Sequence, residues 1–154
     1  MLLSNGGLYR LKHCSPTTLL PEAIRAFQAK IQAQYTPGGP LNYEPVAYAA
    51  KLANFAEAIV CGPKVNWMGG VWGYCNDFIN HVAYISYIAK EKNAPKGLGY
   101  ELHEAFRWFV KGRGMERMRL EVLKTNLHAQ EFYRRIGYAQ IEEREKSFIL
   151  EVEC

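Results

Sequence analysis

Closely spaced cysteines, long apolar runs and a secretory leader are all missing from this sequence. The four cysteines are scattered and never form a Cys-x-x-Cys pair, so reduced thiols in a cytoplasm are expected and a zinc site is not. No stretch reaches the roughly eighteen unbroken apolar residues that a membrane span needs. The first residues, Met1–Gly7, have neither a basic segment nor a sustained apolar core. We therefore expect a soluble cytoplasmic protein with no metal and no membrane contact.

Two common phosphate-binding patterns are also missing. The Gly-x-x-x-x-Gly-Lys-Ser/Thr run of the P-loop does not occur, and the dinucleotide fingerprint would need a third glycine where the chain has Leu102. There is no linker, internal repeat or low-complexity tract, so the length predicts a single domain over residues 1–154. The net charge of +4 suits a polyanionic ligand, but it does not by itself indicate nucleic acid.

The first half of the chain predicts alternating strands and helices. Apolar spacing and a proline at each start indicate the two helices. Glycines among the aromatic residues before Phe78 indicate a strand with a bulge or a close backbone approach. The predicted elements are a strand over Gly7–His13, a helix from Pro21 to about Gln34, a loop over Tyr35–Pro40, a helix beginning near Pro45, a strand over Ala58–Cys61 and a strand between Trp67 and Phe78.

The stretch after His81 carries a more specific pattern. A strand over Val82–Ala89 is followed by a glycine-rich turn over Asn93–Gly99, and helical spacing of apolar residues begins at Leu98. A glycine-rich turn that leads into a helix can cradle an anion on free backbone amides, and Lys96 adds a cation at its rim. A tight turn with no ligand explains the same glycines equally well.

A second strand and helix follow in an order that is more specific still. Residues Arg117–Leu123 alternate as a strand does. Asn126 stands where an N-cap belongs, helical spacing runs over Leu127–Ile136, and Gly137 suits the left-handed residue that ends a helix. Two further strands, Ala139–Glu142 and Phe148–Val152, are predicted to form a final hairpin.

At this point the sequence resembles the GNAT superfamily of acyl-CoA-dependent N-acetyltransferases. The pattern Asn-x-x-Ala-x-x-Phe-Tyr-x-x-x-Gly-Tyr is the most specific part, and the matches cover about the last half of the chain. One position departs, because the family usually has Gln or Arg where this chain has Ala94. The matching residues are Lys96-Gly97-Leu98-Gly99, Leu120-Glu121-Val122, Asn126, Ala129, Phe132-Tyr133 and Ile136-Gly137-Tyr138.

The resemblance implies an α/β (α+β) fold with a mixed, mostly antiparallel sheet of six to seven strands flanked by helices. Strands His81–Ala89 and Arg117–Leu123 would be a parallel pair that splays apart. The resemblance further implies transfer of the acetyl group from acetyl-CoA to a primary amine, by direct attack in a ternary complex. A small amine or an amino sugar is the expected acceptor, and a protein N-terminus or lysine is the alternative. A non-catalytic relative that binds acyl-CoA stays open because of Ala94.

The resemblance also implies the roles of particular residues. Tyr133 would be catalytic, as a hydrogen-bond donor to the departing thiolate, and no metal is implied. Asn126 would be a helix cap that also lies near the cofactor. The cofactor-binding residues would be Tyr87, Ile88, Ala89, Lys96, Gly97, Leu98, Gly99, Tyr100 and Asn126. Acetyl-CoA and the amine are the expected partners; a homodimer through the final hairpin is possible, and nucleic acid is disfavoured because it would not need these motifs.

Some assignments stay undecided at the level of sequence. The candidates for a general base are Tyr84, Ser86, His81 and Asp77, each of which is favoured as structural. His103 and His128 are both expected at the surface or at the rim of the site. Trp67 and Trp72 are expected in the core, with an acceptor-facing position as the alternative.

Overall fold

The computed structural model describes residues 10–36, 41, 43–64 and 66–154. The described strands form a sheet in the order β1-β2-β3-β4-β5-β7-β6, which is mostly antiparallel with β4 and β5 as a parallel pair. The predicted fold class is therefore confirmed. The elements are β1 (Leu11–Cys14), α1 (Pro21–Tyr35), α2 (Pro45–Phe55), β2 (Glu57–Cys61), β3 (Gly69–Asp77), β4 (Val82–Lys90), α3 (Leu98–Gly112), β5 (Arg117–Leu123), α4 (Leu127–Arg135), β6 (Ala139–Glu143) and β7 (Ser147–Glu153).

The predicted boundaries agree closely with these elements. Helix α3 begins at Leu98 and β5 has the predicted ends, because both segments carry strong periodicity between clear turns. The predicted first strand is observed only as Leu11–Cys14, and its residues 7–9 lie outside the described part of the chain, as do residues 37–40 of the predicted loop.

The described residues divide into two compact units. One contains the chain up to Gly73 together with Tyr87–Phe106, and the other contains Tyr74–Ser86 with Arg107–Cys154. The prediction of a single domain stays a prediction. Among the described residues, no helix is long and apolar enough to cross a membrane.

The core of the first unit is built around Trp72. Its side chain has no exposed surface, and its ring centroid lies 5.7 Å from those of both Phe27 and Trp67. A Cβ atom at Gly70 would lie 2.6 Å from the Trp72 ring, so the glycine leaves room for the indole. The predicted close backbone approach and the core position of both tryptophans are confirmed.

The core of the second unit lies along β5 and β7. Met118, Leu120 and Val122 alternate on the buried face of β5, as the strand period requires. On the opposite face Arg119 is paired with Glu151 of β7, with Nε 2.7 Å from Oε2. The period of two therefore separates an apolar face from an ion-paired face in this strand.

Strand β6 is an edge strand with all of its residues exposed. It carries two glutamates and a register shift between Gln140 and Glu142. Charged side chains and bulges discourage pairing with another chain. The possible homodimer through this hairpin stays a prediction.

The expected surface position of His103 is wrong. This side chain in α3 is fully buried, with Nδ1 2.8 Å from Oε2 of Glu104. The position on the helix explains the error, because seven residues make almost two turns and place His103 only about 20° from the buried Val110. His128, by contrast, is exposed as expected.

Candidate functional site

The C-terminal half of β4 carries the strand residues that the sequence assigns to the cofactor. Parallel pairing of β4 with β5 runs from Val82↔Arg117 to Ile85↔Leu120, and β4 continues beyond it through residues 86–90. All five of these residues are only partly buried, although β4 lies in the middle of the strand order. They include Tyr87, Ile88 and Ala89. Such a segment has the extended backbone that a ligand could pair with as an added strand.

The turn before α3 has two glycines, and only one of them has a backbone conformation that favours glycine. Gly97 has a φ of +90°, a conformation that favours glycine, whereas Gly99 does not need a positive φ. A Cβ atom built at either position would meet nothing within 4 Å. The space beside this backbone is therefore open, and the protein itself gives no steric reason for a glycine at position 99.

The first turn of α3 also presents unused backbone donors. The helical hydrogen bonds begin with the amide of Glu101, which donates to the Gly97 carbonyl at 3.0 Å. The amides of Gly99 and Tyr100 precede it and thus have no partner inside the helix. Leu98 is fully buried and anchors the turn, and the Lys96 side chain is exposed beside it. These features fit a phosphate-bearing ligand.

Two successive turns lead into this helix. The amide of Ala94 donates to the Glu91 carbonyl at 3.0 Å, and the amide of Leu98 donates to the Pro95 carbonyl at 3.2 Å. The methyl group of Ala94 offers no donor where the family usually has Gln or Arg. Backbone amides and the nearby side chains of Lys92, Asn93 and Lys96 are the remaining donors for an anion bound at this turn.

Helix α4 in the second unit has a side-chain cap at its N-terminus. The Asn126 side chain accepts a hydrogen bond from the Ala129 amide at 3.1 Å, so its predicted role as the N-cap is confirmed. Gln130 donates to the carbonyls of Leu123 and Lys124 at 3.0 and 2.9 Å, and this fixes the turn between β5 and α4. The cap thus satisfies one of the amides in the first turn of α4.

The end of α4 is also closed, in a way that holds Tyr133. Gly137 has a φ of +104°, as predicted for the residue that ends the helix. Its amide donates to the Arg134 carbonyl at 3.2 Å, and the Tyr138 amide donates to the Tyr133 carbonyl at 3.0 Å. These two bonds form a Schellman motif, and its usual apolar contact is made by the Tyr133 and Tyr138 rings at 5.3 Å.

The environment of Tyr133 keeps its hydroxyl protonated. The side chain is 8% exposed, and burial raises the pKa of Tyr133 well above its ordinary value. A phenol of this kind is a poor acid but remains a hydrogen-bond donor. Within the described part of the chain its hydroxyl makes no hydrogen bond. It is therefore available to a ligand atom.

Three tyrosine rings in the first unit lie in a row that ends at Tyr87 in β4. The Tyr43 and Tyr48 ring centroids are 4.7 Å apart, and the Tyr48 and Tyr87 centroids are 6.4 Å apart. Burial raises the pKa of Tyr87, and the neighbouring tyrosines raise it further. All three rings are half-buried, so they present a partly accessible aromatic surface.

The structure does not single out one of the four candidates for a general base. The carboxylate of Asp77 accepts the Asn80 amide at 3.0 Å, and this hydrogen bond lowers the pKa of Asp77, which makes it a weak base. His81 is exposed in the same hairpin with a φ of +56°. Burial raises the pKa of Tyr84, and Ser86 is half-buried. None of the four is distinguished as the base.

Several basic residues of the second unit are ion-paired. Glu131 bridges Arg134 and Arg135 at 2.6 and 3.3 Å. The same applies to Arg119 with Glu151, to Arg144 with Glu142 and Glu121, and to Lys124 with Glu143. This agrees with a solvated ion-paired face rather than with a surface for nucleic acid. Among the described residues, no group of three or more His, Cys, Asp or Glu side chains could hold a metal ion.

Comparison with known proteins identifies the family. The model of the acetyltransferase (GNAT) family matches residues 24–138, so the chain belongs to this family. Curated protein sequences give no significant match.

Solved structures share the fold over nearly the whole chain. The PaiA N-acetyltransferase of Thermoplasma acidophilum, solved with coenzyme A, is 15% identical, with a TM-score of 0.69 over 94% of this chain and 99% of that one. A GNAT-family acetyltransferase of Staphylococcus aureus is 13% identical, with a TM-score of 0.71 over 93% and 98%. The ribosomal-protein-S18-alanine N-acetyltransferase of Escherichia coli is 16% identical, with a TM-score of 0.69 over 93% of both chains.

The site residues named from sequence fall into both units. Tyr87–Ala89 and Lys96–Tyr100 lie in the first, whereas Asn126 and Tyr133 lie in the second. Sequence reasoning missed side chains of α1 that contact the end of β4 and the residues that follow it. No local pattern could have revealed them, because more than fifty residues separate the partners.

Proposed function

We propose that this protein transfers the acetyl group of acetyl-CoA to a primary amine, by direct attack of the amine in a ternary complex. We also propose that residues 1–154 act as a single catalytic domain. Membership of the GNAT family supports acyl-CoA-dependent N-acetyl transfer as the general activity. The choice of acceptor and the residue roles are the specific parts of the proposal.

The observation that carries the proposal is the open backbone at the start of α3. Gly99 occupies the first turn of a helix, where glycine costs up to about 1 kcal/mol relative to alanine. Its missing Cβ relieves no contact in the protein. A ligand that must approach this backbone explains the glycine, and the free amides of Gly99 and Tyr100 favour phosphate. We assign Lys96–Tyr100 to the phosphates of CoA and the backbone of Tyr87–Ala89 to its pantetheine arm.

The chemistry requires a neutral amine, a held oxyanion and a stabilised thiolate. An acceptor with a lysine-like pKa near 10.4 costs about 4 to 5 kcal/mol to deprotonate at neutral pH, but an α-amine near 8 costs only about 1 kcal/mol. A strong protein base is therefore needed only for the more basic acceptors. The absence of a distinguished base among the four candidates is compatible with an acceptor of lower pKa.

Tyr133 is proposed to stabilise the departing thiolate. A tyrosine with its ordinary pKa of about 10 would give up a proton to a thiolate of pKa about 8.5 at a cost of roughly 2 kcal/mol. Burial raises the pKa of Tyr133 and increases this cost. Its role is therefore hydrogen-bond donation to the sulfur and not full proton transfer.

A small amine or amino sugar is proposed as the acceptor. The partly accessible rings of Tyr43, Tyr48 and Tyr87 support this choice, since aromatic faces pack against flat or apolar groups and attract cations. A peptide N-terminus or a lysine is the alternative. The Escherichia coli neighbour is a ribosomal-protein-S18-alanine N-acetyltransferase, and this supports the alternative.

Calorimetric titration with acetyl-CoA and with CoA tests the cofactor assignment first. Micromolar binding of both is expected, with a stoichiometry of one per chain. Absence of binding at millimolar cofactor would mean that Ala94 is decisive and would overturn the proposed activity.

A screen of acceptors, followed by release of the CoA thiol, then tests the transfer. Small amines and amino sugars are expected to release thiol faster than peptides with a free N-terminus or an internal lysine. The reverse order would favour the peptide alternative. Tight acetyl-CoA binding without thiol release from any amine would identify a non-catalytic acyl-CoA-binding relative.

A further inference from the structure

Helix α1 contacts the chain at the point where it leaves β4. The Tyr35 hydroxyl donates to the Lys90 carbonyl at 2.8 Å, and the Lys92 amide donates to Oε1 of Gln34 at 3.0 Å. The Lys92 ammonium also lies 5.5 Å from the centroid of the Tyr35 ring, within the range of a cation–π contact. Two neighbouring residues of α1 thus bind two backbone groups of the segment that leads to Gly97.

A third side chain of α1 binds the residue between these two. The Lys30 ammonium lies 2.9 Å from Oε1 of Glu91 and donates to Oδ1 of Asn66 and to the Trp67 carbonyl at 2.9 and 2.8 Å. The amide of Glu91 donates to the Met68 carbonyl at 2.8 Å. Residue 91 is therefore held on both its backbone and its side chain.

The spacing on α1 suits this arrangement. Lys30 and Gln34 are four residues apart and therefore lie on one face of the helix, with Tyr35 beside them. Their partners are residues 90–92, so each of three consecutive residues has a contact with α1. We call Lys30, Gln34 and Tyr35 the α1 clamp.

The α1 clamp acts directly before the turn that offers the phosphate donors. The Glu91 carbonyl accepts the Ala94 amide, so the next turn starts from a residue that the clamp already holds. Fixing this end of the turn lowers the entropy that the turn must lose when an anion orders it. It also sets the direction in which the amides after Gly97 point.

We propose that the α1 clamp positions the cofactor loop, and that it does so in place of the Gln or Arg side chain that Ala94 lacks. This inference rests on the proposed function. The three residues are positioning residues, because they act on the phosphates of CoA through the backbone of the loop. Their removal should weaken binding of the phosphate-bearing part of CoA and leave binding of the pantetheine arm unchanged.

The test compares CoA with pantetheine, the fragment that has no phosphates, in a Gln34→Leu/Tyr35→Phe double variant. The affected bonds lie near the protein surface, so circular dichroism should show an intact fold with Tm lowered by only a few degrees. The Kd for CoA should rise about tenfold. The Kd for pantetheine, followed by ligand-observed NMR, should change less than twofold.

A Gln32→Leu variant is the matched control. Gln32 donates to the Thr36 carbonyl at 3.1 Å at the same end of α1, and its replacement removes a helix-end bond of the same kind. It should leave both dissociation constants unchanged. An equal loss of CoA affinity in this control would mean that general destabilisation of α1, and not the clamp, weakens binding. That result would overturn the inference.

Two further outcomes separate the inference from the proposed function. Unchanged CoA binding in the double variant, or an equal loss for CoA and pantetheine, would overturn the clamp alone. Absence of CoA binding by the unaltered protein would overturn the proposed function and with it the clamp.

Discussion

The helices that follow β4 and β5 begin in opposite ways. Helix α4 has a side-chain cap, Asn126, at its N-terminus and ends in the Schellman motif at Gly137. Helix α3 begins with a glycine turn whose backbone faces open space, and the amides of Gly99 and Tyr100 have no partner inside the helix. Only the start of α3 combines free amides with glycines that leave room for a ligand beside the backbone.

This difference agrees with the separate contributions that we propose for the two helices. At the start of α3 the protein leaves donors and space beside the backbone, so the backbone is the functional group that we propose there. In α4 the proposed functional group is a side chain, that of Tyr133. Substitutions at the two helices should therefore affect different steps of the reaction.

The largest effect is expected from Tyr133→Phe. Loss of the proposed donor to the thiolate should lower kcat about 100-fold, since a positioned proton donor typically contributes this much or more. The Kd for CoA should stay within about twofold, because the ring and the helix end are retained. Steady-state kinetics and calorimetry on the same preparation measure the two quantities.

Tyr138→Phe is the matched control for this variant. It removes the same atom from the neighbouring ring of the same motif. A kcat close to that of the unaltered protein is expected. Equal activity of the Tyr133→Phe variant would remove the catalytic assignment and leave Tyr133 as a core residue of α4.

The second-largest effect is expected from Gly99→Ala, which should stabilise the protein but weaken its binding of CoA. The Cβ atom meets nothing in the protein, so the free energy of unfolding should rise by about 0.5 kcal/mol. The same atom would occupy the space proposed for the phosphates, so the Kd for CoA should rise about tenfold. Thermal unfolding and calorimetry measure the two changes.

Gly112→Ala, at the other end of α3, is the control. A Cβ atom there also meets nothing within 4 Å, so this variant should be stabilised similarly and bind CoA normally. If Gly99→Ala also left CoA binding unaltered, the open turn would be a structural feature with no ligand.

Substitution of Asn126 is expected to have a smaller effect, and it tests what the cap contributes to α4. Asn126→Ala should lower the free energy of unfolding by about 1 kcal/mol through loss of the cap, and Asn126→Asp should restore it, since both residues cap well. Neither should change the Kd for CoA more than twofold if the cap is the main role. Selective loss of CoA binding in the Asn126→Asp variant would instead place the anionic cofactor close to this residue.

The sequence predicted the elements and the helix ends well, because these depend on local patterns. The cap at Asn126, the left-handed Gly137 and the start of α3 are all set by a few neighbouring residues. The expected surface position of His103 is wrong because its place on the same helix face as Val110 buries it. The α1 clamp could not be predicted, because contacts such as Tyr35 with Lys90 depend on the tertiary fold.

The smallest effect concerns the pH dependence of the free energy of unfolding. It tests whether the Tyr133 hydroxyl is buried in the folded protein. Burial raises the pKa of Tyr133 in the folded protein, while the unfolded chain keeps a pKa of about 10. Below pH 10 the residue is protonated in both states, so its contribution is fully present. Above pH 10 the unfolded chain releases the proton first, and stability falls as pH rises.

At pH 10.5 this loss should reach up to about 0.8 kcal/mol for one such tyrosine. Tyr133→Phe cannot ionise, so its stability relative to the unaltered protein should improve by that amount between pH 8 and pH 10.5. Denaturant unfolding at the two pH values measures the change. An identical pH dependence in both proteins would mean that the Tyr133 hydroxyl reaches solvent freely. Burial at the end of α4 would then not be the reason that it stays a neutral donor.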